Sequence, residues 1–186
     1  MRPHALFLTL LLACPTLLSA AENGQRLLQF DKPSVAKQVR PSDESEVGIA
    51  LVGKGAKSAL QVTCKAGAKG YPGVTIAAPG DTWDLSAVGH VEVRVQNTGK
   101  TAIDVTLRVD NPGDWKLSPW SAEHSGIAPG ATGSVRVCFG YNFGKPGFAL
   151  DPKRISQVLV FVSGKAEEQI FQIETLAAGG KPGEKP

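Results

Sequence analysis

The sequence lacks the short motifs that mark many enzyme active sites. It contains no HExxH zinc-binding pair, no CxxC pair, no GxSxG nucleophile elbow and no glycine-rich phosphate loop. Nothing in the spacing of its carboxylates marks the pair that glycoside hydrolysis requires. These absences argue against catalysis. One hypothesis of a small hydrolase or lyase stays open, and it requires a cleft that gathers His90, Glu92 and Arg94.

Charge of one sign is also scarce. The 20 Lys and Arg residues nearly balance the 17 Asp and Glu residues, which gives a formal net charge of +3, and no basic run occurs. Because nucleic-acid-binding proteins concentrate positive charge on one face, no nucleic-acid partner is predicted. Beyond the N-terminus, no apolar run approaches the roughly 20 residues that a membrane span needs.

The N-terminus has the order of a secretory signal peptide. Residues 1–21 carry a positive charge, then an apolar run, then small residues. Ser19 and Ala21 suit the two positions that must be small before a cleavage site, which predicts a cut before Glu22. The protein is therefore predicted to be secreted or periplasmic.

A second exported fate stays open. Residues 11–14, Leu-Leu-Ala-Cys, resemble a lipoprotein signal, in which Cys14 becomes the lipidated first residue of an envelope-anchored protein. Leucine at the middle position and Pro15 after the cysteine are atypical of that signal, and the apolar stretch continues past Cys14. Ordinary cleavage is the prediction, and lipidation of Cys14 is the alternative.

The rest of the chain divides by composition into three parts. Residues 22–58 are polar and weakly periodic, which predicts a flexible or loosely structured leader. Residues 59–178 contain the strand-like segments and are predicted to form one domain with a single core. Residues 179–186 are rich in Gly, Pro and Lys, which predicts a disordered tail.

Alternation of apolar and polar residues with period two predicts strands throughout the central part. The predicted strands lie at residues 60–64, 91–96, 103–110, 134–137, 158–162 and 170–173. The turn at 97–100 predicts a hairpin between two of them. About eight strands, without a convincing amphipathic helix of several turns, predict an all-β fold, a two-sheet jelly-roll β-sandwich.

Cys64 and Cys138 remain in the domain under either export fate and are candidates for a disulfide in an oxidising compartment. The phase of the strands opposes the bond, because Cys64 alternates with inward residues whereas Cys138 alternates with the outward Arg136. A bulge would restore the geometry. Both a disulfide and two unpaired thiols therefore stay open.

The three tryptophans differ in their surroundings. Trp83 precedes a short apolar turn and is predicted to be core, whereas Trp115 and Trp120 fall in a predicted polar loop over 113–126. Aromatic rings stack on the apolar C–H faces of sugars, and planar amide, carboxylate and guanidinium groups bind hydroxyls. Trp115 and Trp120 are therefore predicted to be platforms for sugar rings.

Three polar residues end the predicted strand beside that loop. Arg108, Asp110 and Asn111 are predicted to contact sugar hydroxyls for this reason. Oxygen ligands for calcium are available from Asp110 with Asp114, but aspartates in such positions more often cap turns. The same holds for the pair at 81 and 84. No cofactor is predicted, and a metal site is left undefined.

Five segments carry a resemblance to a known family. They are Tyr71–Val74, Trp83–Ser86, Val93–Asn97, Arg108–Gly113 and Ile155–Phe161. In this order and spacing they resemble the carbohydrate-binding-type, galactose-binding-like domain that precedes the catalytic barrel in β-agarases and related polysaccharide-degrading enzymes. The resemblance runs from Ala59 to Ala178 and implies a jelly roll that binds sugar on one sheet face or in end loops. No catalytic barrel follows, so hydrolase activity is not implied.

Two functions are left to weigh. The first is an exported, non-catalytic module that binds a polysaccharide or oligosaccharide. The alternative is a structural or protein-interaction module of the cell envelope, in which an envelope protein pairs with an exposed strand edge. A protein partner that persists after Trp115 and Trp120 are replaced by alanine would favour the alternative.

Overall fold

A computed structural model describes residues 24–117, 119–147 and 149–186. The strands in chain order are β1 (Gln25–Arg26), β2 (Val39–Pro41), β3 (Val47–Val52), β4 (Ala59–Cys64), β5 (Gly73–Ala77), β6 (His90–Asn97), β7 (Ile103–Asp110), β8 (Trp120–Ile127), β9 (Thr132–Cys138), β10 (Tyr141–Asn142), β11 (Lys145–Pro146), β12 (Gln157–Val162) and β13 (Gln169–Gly179). The helix α1 spans Lys32–Gln38, and short 3-10 helices span Gly55–Lys57 and Pro152–Arg154. The predicted signal peptide over 1–21, with Cys14, lies outside the described residues. Within them, no helix is long and apolar enough to cross a membrane.

The strands form two sheets, the β-sandwich that the alternation predicts. Sheet A has the order β3–β4–β13–β6–β9, and β1 pairs with the end of β13. Sheet B has the order β11–β10–β8–β7–β12–β5–β2. Neighbouring strands are antiparallel except β10 and β8, which are parallel. The hairpin predicted at 97–100 is wrong, because β6 belongs to sheet A and β7 to sheet B and the two strands do not pair. The turn instead carries the chain from one sheet to the other.

Alternate apolar positions of the two sheets build the core. Successive side chains of a strand point to opposite faces, so one set of positions on each sheet faces the other sheet. The inward residues on β6 and β7 are fully buried: Val91, Val93, Val95, Val105, Leu107 and Val109. Burial of one side chain of this kind contributes roughly 1.5–3 kcal/mol, and the β-branched residues also favour the strand conformation.

The residues predicted to form a loose leader instead belong to the sandwich. Leu27 and Leu28 are buried in the core, β1 pairs with β13, and β3 pairs with β4. The helix α1 begins after Asp31, whose carboxylate accepts a 2.9 Å hydrogen bond from the Ser34 N–H. Within 22–58 these elements are mostly too short for a periodic pattern, which needs at least four residues or so to be visible.

The strand β8 was missed because its sequence does not alternate. Its residues overlap the predicted loop over 113–126, and they include Gly126, which weakens a strand pattern. In the fold, β8 pairs with β7 along its whole length, from Ile127 opposite Ile103 to Trp120 opposite Asp110. Trp120 therefore projects from a strand, whereas only Trp115 lies in a loop.

The residues predicted to form a disordered tail fold back onto sheet A. The Glu184 carboxylate lies 2.7 Å from His90 Nδ1 and 3.8 Å from Cys138 Sγ. His90 and Cys138 keep the outward phase of their strands, yet both are buried. Their burial comes from the tail that covers this end of the sheet, which alternation within a strand cannot reveal.

In the structure the two described cysteines are free, which corresponds to the alternative of two unpaired thiols. Cys64 pairs with Gln169 at one end of sheet A, and Cys138 pairs with His90 at the other. The strand length between them is about 30 Å, whereas a disulfide needs Cα atoms within about 7 Å. Burial raises the pKa of the Cys64 thiol to about 11, so this thiol is unreactive at neutral pH.

Candidate functional site

The strand β7 presents a row of polar side chains on the outer face of sheet B. Asp104, Thr106 and Arg108 alternate with buried apolar residues, as the sequence predicts, and Asp110 ends the row. Because β7 lies between β8 and β12, this row runs through the interior of the sheet and not along an edge. Any ligand on this face would meet these groups first.

Arg108 and Asp110 form a two-pronged ion pair at the end of the row. The guanidinium Nε donates to Asp110 Oδ1 at 2.7 Å, and Nη2 donates to Oδ2 at 2.6 Å. Gln157 on the neighbouring β12 donates to Oδ2 at 3.0 Å. Two parallel hydrogen bonds fix the plane of the guanidinium as well as its position. The pair is a rigid polar element on the face.

The two predicted platforms pack around this ion pair. Arg108 Cζ lies 5.4 Å from the ring centroid of Trp120 and 5.8 Å from that of Trp115, within the range of a cation–π contact. The Trp120 indole N–H donates to the Trp115 carbonyl at 3.1 Å. Trp115 is exposed and Trp120 is half-buried, whereas Trp83 is buried in the core as predicted. The guanidinium therefore anchors both rings at one end of the sheet face.

A second pair of rings lies further along the same face. Tyr71 and Phe161 meet edge to face with ring centroids 5.5 Å apart, and Tyr71 is strongly exposed. Phe161 lies on β12 opposite Thr106, four positions along β7 from Asp110, which pairs with Trp120. The two ring pairs are thus separated by about 13 Å along the strands and about 10 Å across them.

We call this surface the aromatic face. It comprises Trp115, Trp120, Arg108, Asp110, Gln157, Tyr71 and Phe161. Apolar rings at two ends with planar hydrogen-bonding groups between them suit an extended ligand that offers both apolar faces and hydroxyls. Phe161 and Gln157 were not predicted as site residues, because strand register and not sequence distance brings them here. The available signal was that Phe161 is an aromatic residue at an outward position of a central strand.

A smaller cluster borders this surface on β8. His124 Nδ1 lies 3.0 Å from both carboxylate oxygens of Asp104, and its ring meets Phe143 at 5.6 Å. Phe143 has a positive φ of 50°, a conformation that residues other than glycine adopt rarely. The turn between β10 and β11 therefore holds an exposed ring beside sheet B.

Asn111 does not share the aromatic face. Its side-chain amide donates to the carbonyls of Asp151 and Arg154 at 2.8 and 2.7 Å, and its oxygen accepts from the Asp151 N–H at 2.7 Å. The residue is buried. In the sequence, Asn111 lies close to Arg108 and Asp110, the other two residues predicted to contact sugar hydroxyls. Its amide instead fixes the turn around Pro152–Arg154.

The side chains required for the hydrolase or lyase hypothesis do not converge. His90 is buried against Glu184, Glu92 accepts from Arg136 at 3.0 Å, and Arg94 donates to Glu174 at 2.8 Å. Each of the three groups is thus engaged with a different partner. His90 and Glu92 both line a small hollow of about 130 Å³, but Arg94 lines a different groove, so the three residues do not form one cleft.

The aspartates considered for calcium have local roles. The Ser86 hydroxyl and N–H donate to Asp84 at 2.7 and 3.0 Å, and these bonds lower the pKa of the Asp84 carboxyl. Asp114 accepts from the Lys116 N–H at 2.9 Å. Both are turn caps of the expected kind. Among the described residues, no three His, Cys, Asp or Glu side chains are grouped to hold a metal ion.

The comparisons with known proteins identify the fold. The sequence matches no family model and no curated protein. Among solved structures, an exo-β-agarase is similar over 86% of this chain, with 12% identity and a TM-score of 0.66. A second agarase is similar over 86% of this chain, with 14% identity and a TM-score of 0.63. This chain spans only 25% of the length of each of these agarases.

An isolated module gives a match over nearly its full length. The family 11 carbohydrate-binding module from Clostridium thermocellum, in complex with a β-1,3-1,4-mixed-linked tetrasaccharide, is similar over 87% of this chain and 98% of its own. The identity is 13% and the TM-score is 0.57. Likeness at such low identity concerns the fold. It confirms the predicted jelly-roll β-sandwich fold.

Proposed function

We propose that this chain is a non-catalytic carbohydrate-binding module that holds a polysaccharide on the aromatic face. The observation that carries the proposal is the exposure of Trp115 (57%) and Tyr71 (69%) on the same surface as the Arg108–Asp110 pair. Large rings exposed on one surface of a domain mark interaction sites. Aromatic rings can stack on the C–H faces of a sugar, and neighbouring planar polar groups can bind its hydroxyls.

Arg108 organises this site. Asp110 takes up two N–H groups on one side of the guanidinium, so the remaining N–H groups of the fork can donate to sugar hydroxyls. The same guanidinium holds the two tryptophan rings, which leaves the exposed surface of Trp115 for the C–H face of a sugar ring. Because the rings and the fork are positioned before binding, little ordering entropy is lost when the ligand arrives.

The similar solved structures support a carbohydrate as the ligand. The Clostridium thermocellum module with its tetrasaccharide matches over nearly its full length, and a family 29 module in complex with mannohexaose is similar with a TM-score of 0.51. The agarases match over a quarter of their length, so no hydrolase activity is proposed for this chain. The proposed partner is a polysaccharide or oligosaccharide of the extracellular space.

Affinity gel electrophoresis tests the proposal directly. The folded chain should be retarded by at least one of agarose, mixed-linked β-glucan, mannan and xylan. Trp115→Ala should weaken that binding about tenfold, because loss of a stacked ring costs roughly 1–2 kcal/mol. Leu117→Ala is the matched control, since Leu117 is an apolar residue of the same loop and is 81% exposed. Equal loss in both variants, or no retardation by any of the four glycans, would contradict the proposal.

Export is part of the proposed function, by signal cleavage before Glu22 or by lipidation of Cys14. The fold determines how much chain would precede the sandwich in each case. Because β1 begins at Gln25, a cut before Glu22 leaves almost no leader ahead of the sandwich. Lipidation of Cys14 would leave residues 15–24 as a tether of at most about 35 Å. Mass spectrometry of the mature N-terminus distinguishes the two, since a lipid-modified N-terminal Cys14 and an unmodified N-terminal Glu22 differ in mass.

A further inference from the structure

The outer face of sheet A carries a groove that is separate from the aromatic face. Its floor is formed by β6 and β13, and its wall by the 3-10 turn Gly55–Lys57. The groove has a volume of about 450 Å³ and adjoins a hollow of about 300 Å³ that reaches Phe30. Both volumes fall within or close to the range of roughly 300–1,000 Å³ that is typical of ligand sites.

Amide side chains form part of the groove floor. Gln61, Gln172 and Gln96 occupy facing positions on three adjacent strands, and the last two line the groove. Gln172 donates to the oxygen of Gln61 at 3.3 Å, and within the described part of the chain the Gln96 amide has no hydrogen-bond partner. An amide both donates and accepts, so this row can match the two roles of a hydroxyl group.

A β-bulge places two successive residues of β13 on the same floor. The register of β13 against β6 shifts between Ile173 and Thr175, which makes Glu174 the extra residue of the strand. Bulges re-aim side chains and are frequent beside binding sites. The bulge places both Glu174 and Thr175 in the groove lining, and Arg94 Nε donates to Glu174 Oε2 at 2.8 Å. This neighbouring cation balances the charge of the carboxylate, which still has an oxygen to accept from a ligand.

This chemistry defines the ligand. The groove offers amides, a hydroxyl and a neutralised ion pair, which suit a ligand rich in hydroxyl groups. We propose that the groove is a second glycan-binding site, in which an oligosaccharide is held by Gln96, Gln172 and Glu174 on the sheet opposite the aromatic face. The choice of a sugar as ligand rests on the proposed function. Two sites on opposite faces would let one module hold two polysaccharide chains together.

Nuclear magnetic resonance of the isotope-labelled full chain tests this proposal. The probes are agarohexaose, mannohexaose and the mixed-linked β-glucan tetrasaccharide, each titrated separately. At least one probe should shift two separate groups of backbone amides, one around Trp115 and Arg108 and one around Gln172 and Thr175. Gln172→Ala should weaken the response of the groove about fivefold, as expected for a lost hydrogen bond, and leave the response of the aromatic face unchanged.

The matched control is Ser134→Ala, an exposed residue on the same outer face that does not line the groove. Shifts confined to the aromatic face at saturation would overturn the second site and leave the proposed function standing. Shifts confined to the groove would support the second site and overturn sugar binding by the aromatic face. Shifts in neither region with any probe would overturn both.

Discussion

The two outer faces of the sandwich share a backbone pattern and differ in chemistry. On sheet B, the side chains of Arg108 and Asp110 are 17% and 6% exposed beside two tryptophan rings. On sheet A, the corresponding pair of Arg94 and Glu174 is 54% and 33% exposed, with no ring contact among those described. Because water screens an exposed pair, the same two charges are loosely held on sheet A and firmly fixed on sheet B. Aromatic neighbours therefore convert a surface ion pair into a rigid element of a site.

The largest expected effect comes from removing one carboxylate on each face. Asp110→Ala should lower the free energy of unfolding by about 2–3 kcal/mol, because it leaves the Arg108 guanidinium shielded by rings without its partner. Glu174→Ala should cost less than about 1 kcal/mol, since Arg94 remains solvated. Urea unfolding followed by tryptophan fluorescence and by circular dichroism measures both. Equal losses would mean that the rings do not shield the pair on sheet B.

A pair of glycines compares the backbones of the two sheets. A Cβ atom on Gly73 of β5 would collide with the Val160 carbonyl and with Phe161, so Gly73→Ala should destabilise the fold by about 2 kcal/mol. A Cβ atom on Gly48 of β3 would meet nothing within 4 Å. Gly48→Ala should therefore be neutral or slightly stabilising, because alanine lowers the entropy of the unfolded chain. Thermal unfolding of the two variants measures the difference, and a stable Gly73→Ala protein would show that β5 can move away from β12.

The local sequence pattern predicted the strands that only need to pack on an apolar layer, whichever residues form that layer. The strands β6 and β7 were predicted because valine and leucine at alternate positions need only some opposing apolar layer. The strand β8 was missed because its place is fixed by pairing with β7 and not by its own pattern. Residues 24–58 and the C-terminal tail were missed for the same reason, since α1, β1 and Glu184 are held by contacts distant in sequence.

The candidate site was predictable in part, and the reason is again distance along the chain. Arg108, Asp110, Trp115 and Trp120 come together because the end of β7, the loop that follows it and the start of β8 are adjacent. Gln157 and Phe161 join them only through the register of β12 against β7, which the sequence does not display. Asn111 shows the converse, since its adjacency in sequence does not reveal that its amide points into the turn at 151–154.

A conservative change sharpens the contrast in binding. Arg108→Lys keeps the positive charge but loses the planar fork and its contact with the rings, so glycan affinity at the aromatic face should fall about tenfold. Arg94→Lys, on the exposed pair of sheet A, should leave affinity at the aromatic face unchanged. Isothermal titration with the glycan found in the gel assay measures both variants. An unchanged affinity for Arg108→Lys would show that charge alone accounts for the role of Arg108.

The smallest expected effect concerns the end of sheet A at His90 and Cys138, which the C-terminal tail covers. Burial raises the pKa of the Cys138 thiol, and the nearby charge of Glu184 raises it further. Glu184→Ala should therefore both uncover Cys138 and lower its pKa, and its labelling by a maleimide at pH 7.5 should become a few-fold faster. Cys64 is the internal control, because it is buried at the far end of the sheet and makes no contact with the tail. Peptide mapping by mass spectrometry separates the two thiols. If both were labelled faster, the variant would have loosened the whole sandwich, whereas an unchanged rate at Cys138 would mean that other residues of 180–186 suffice to cover this end of sheet A.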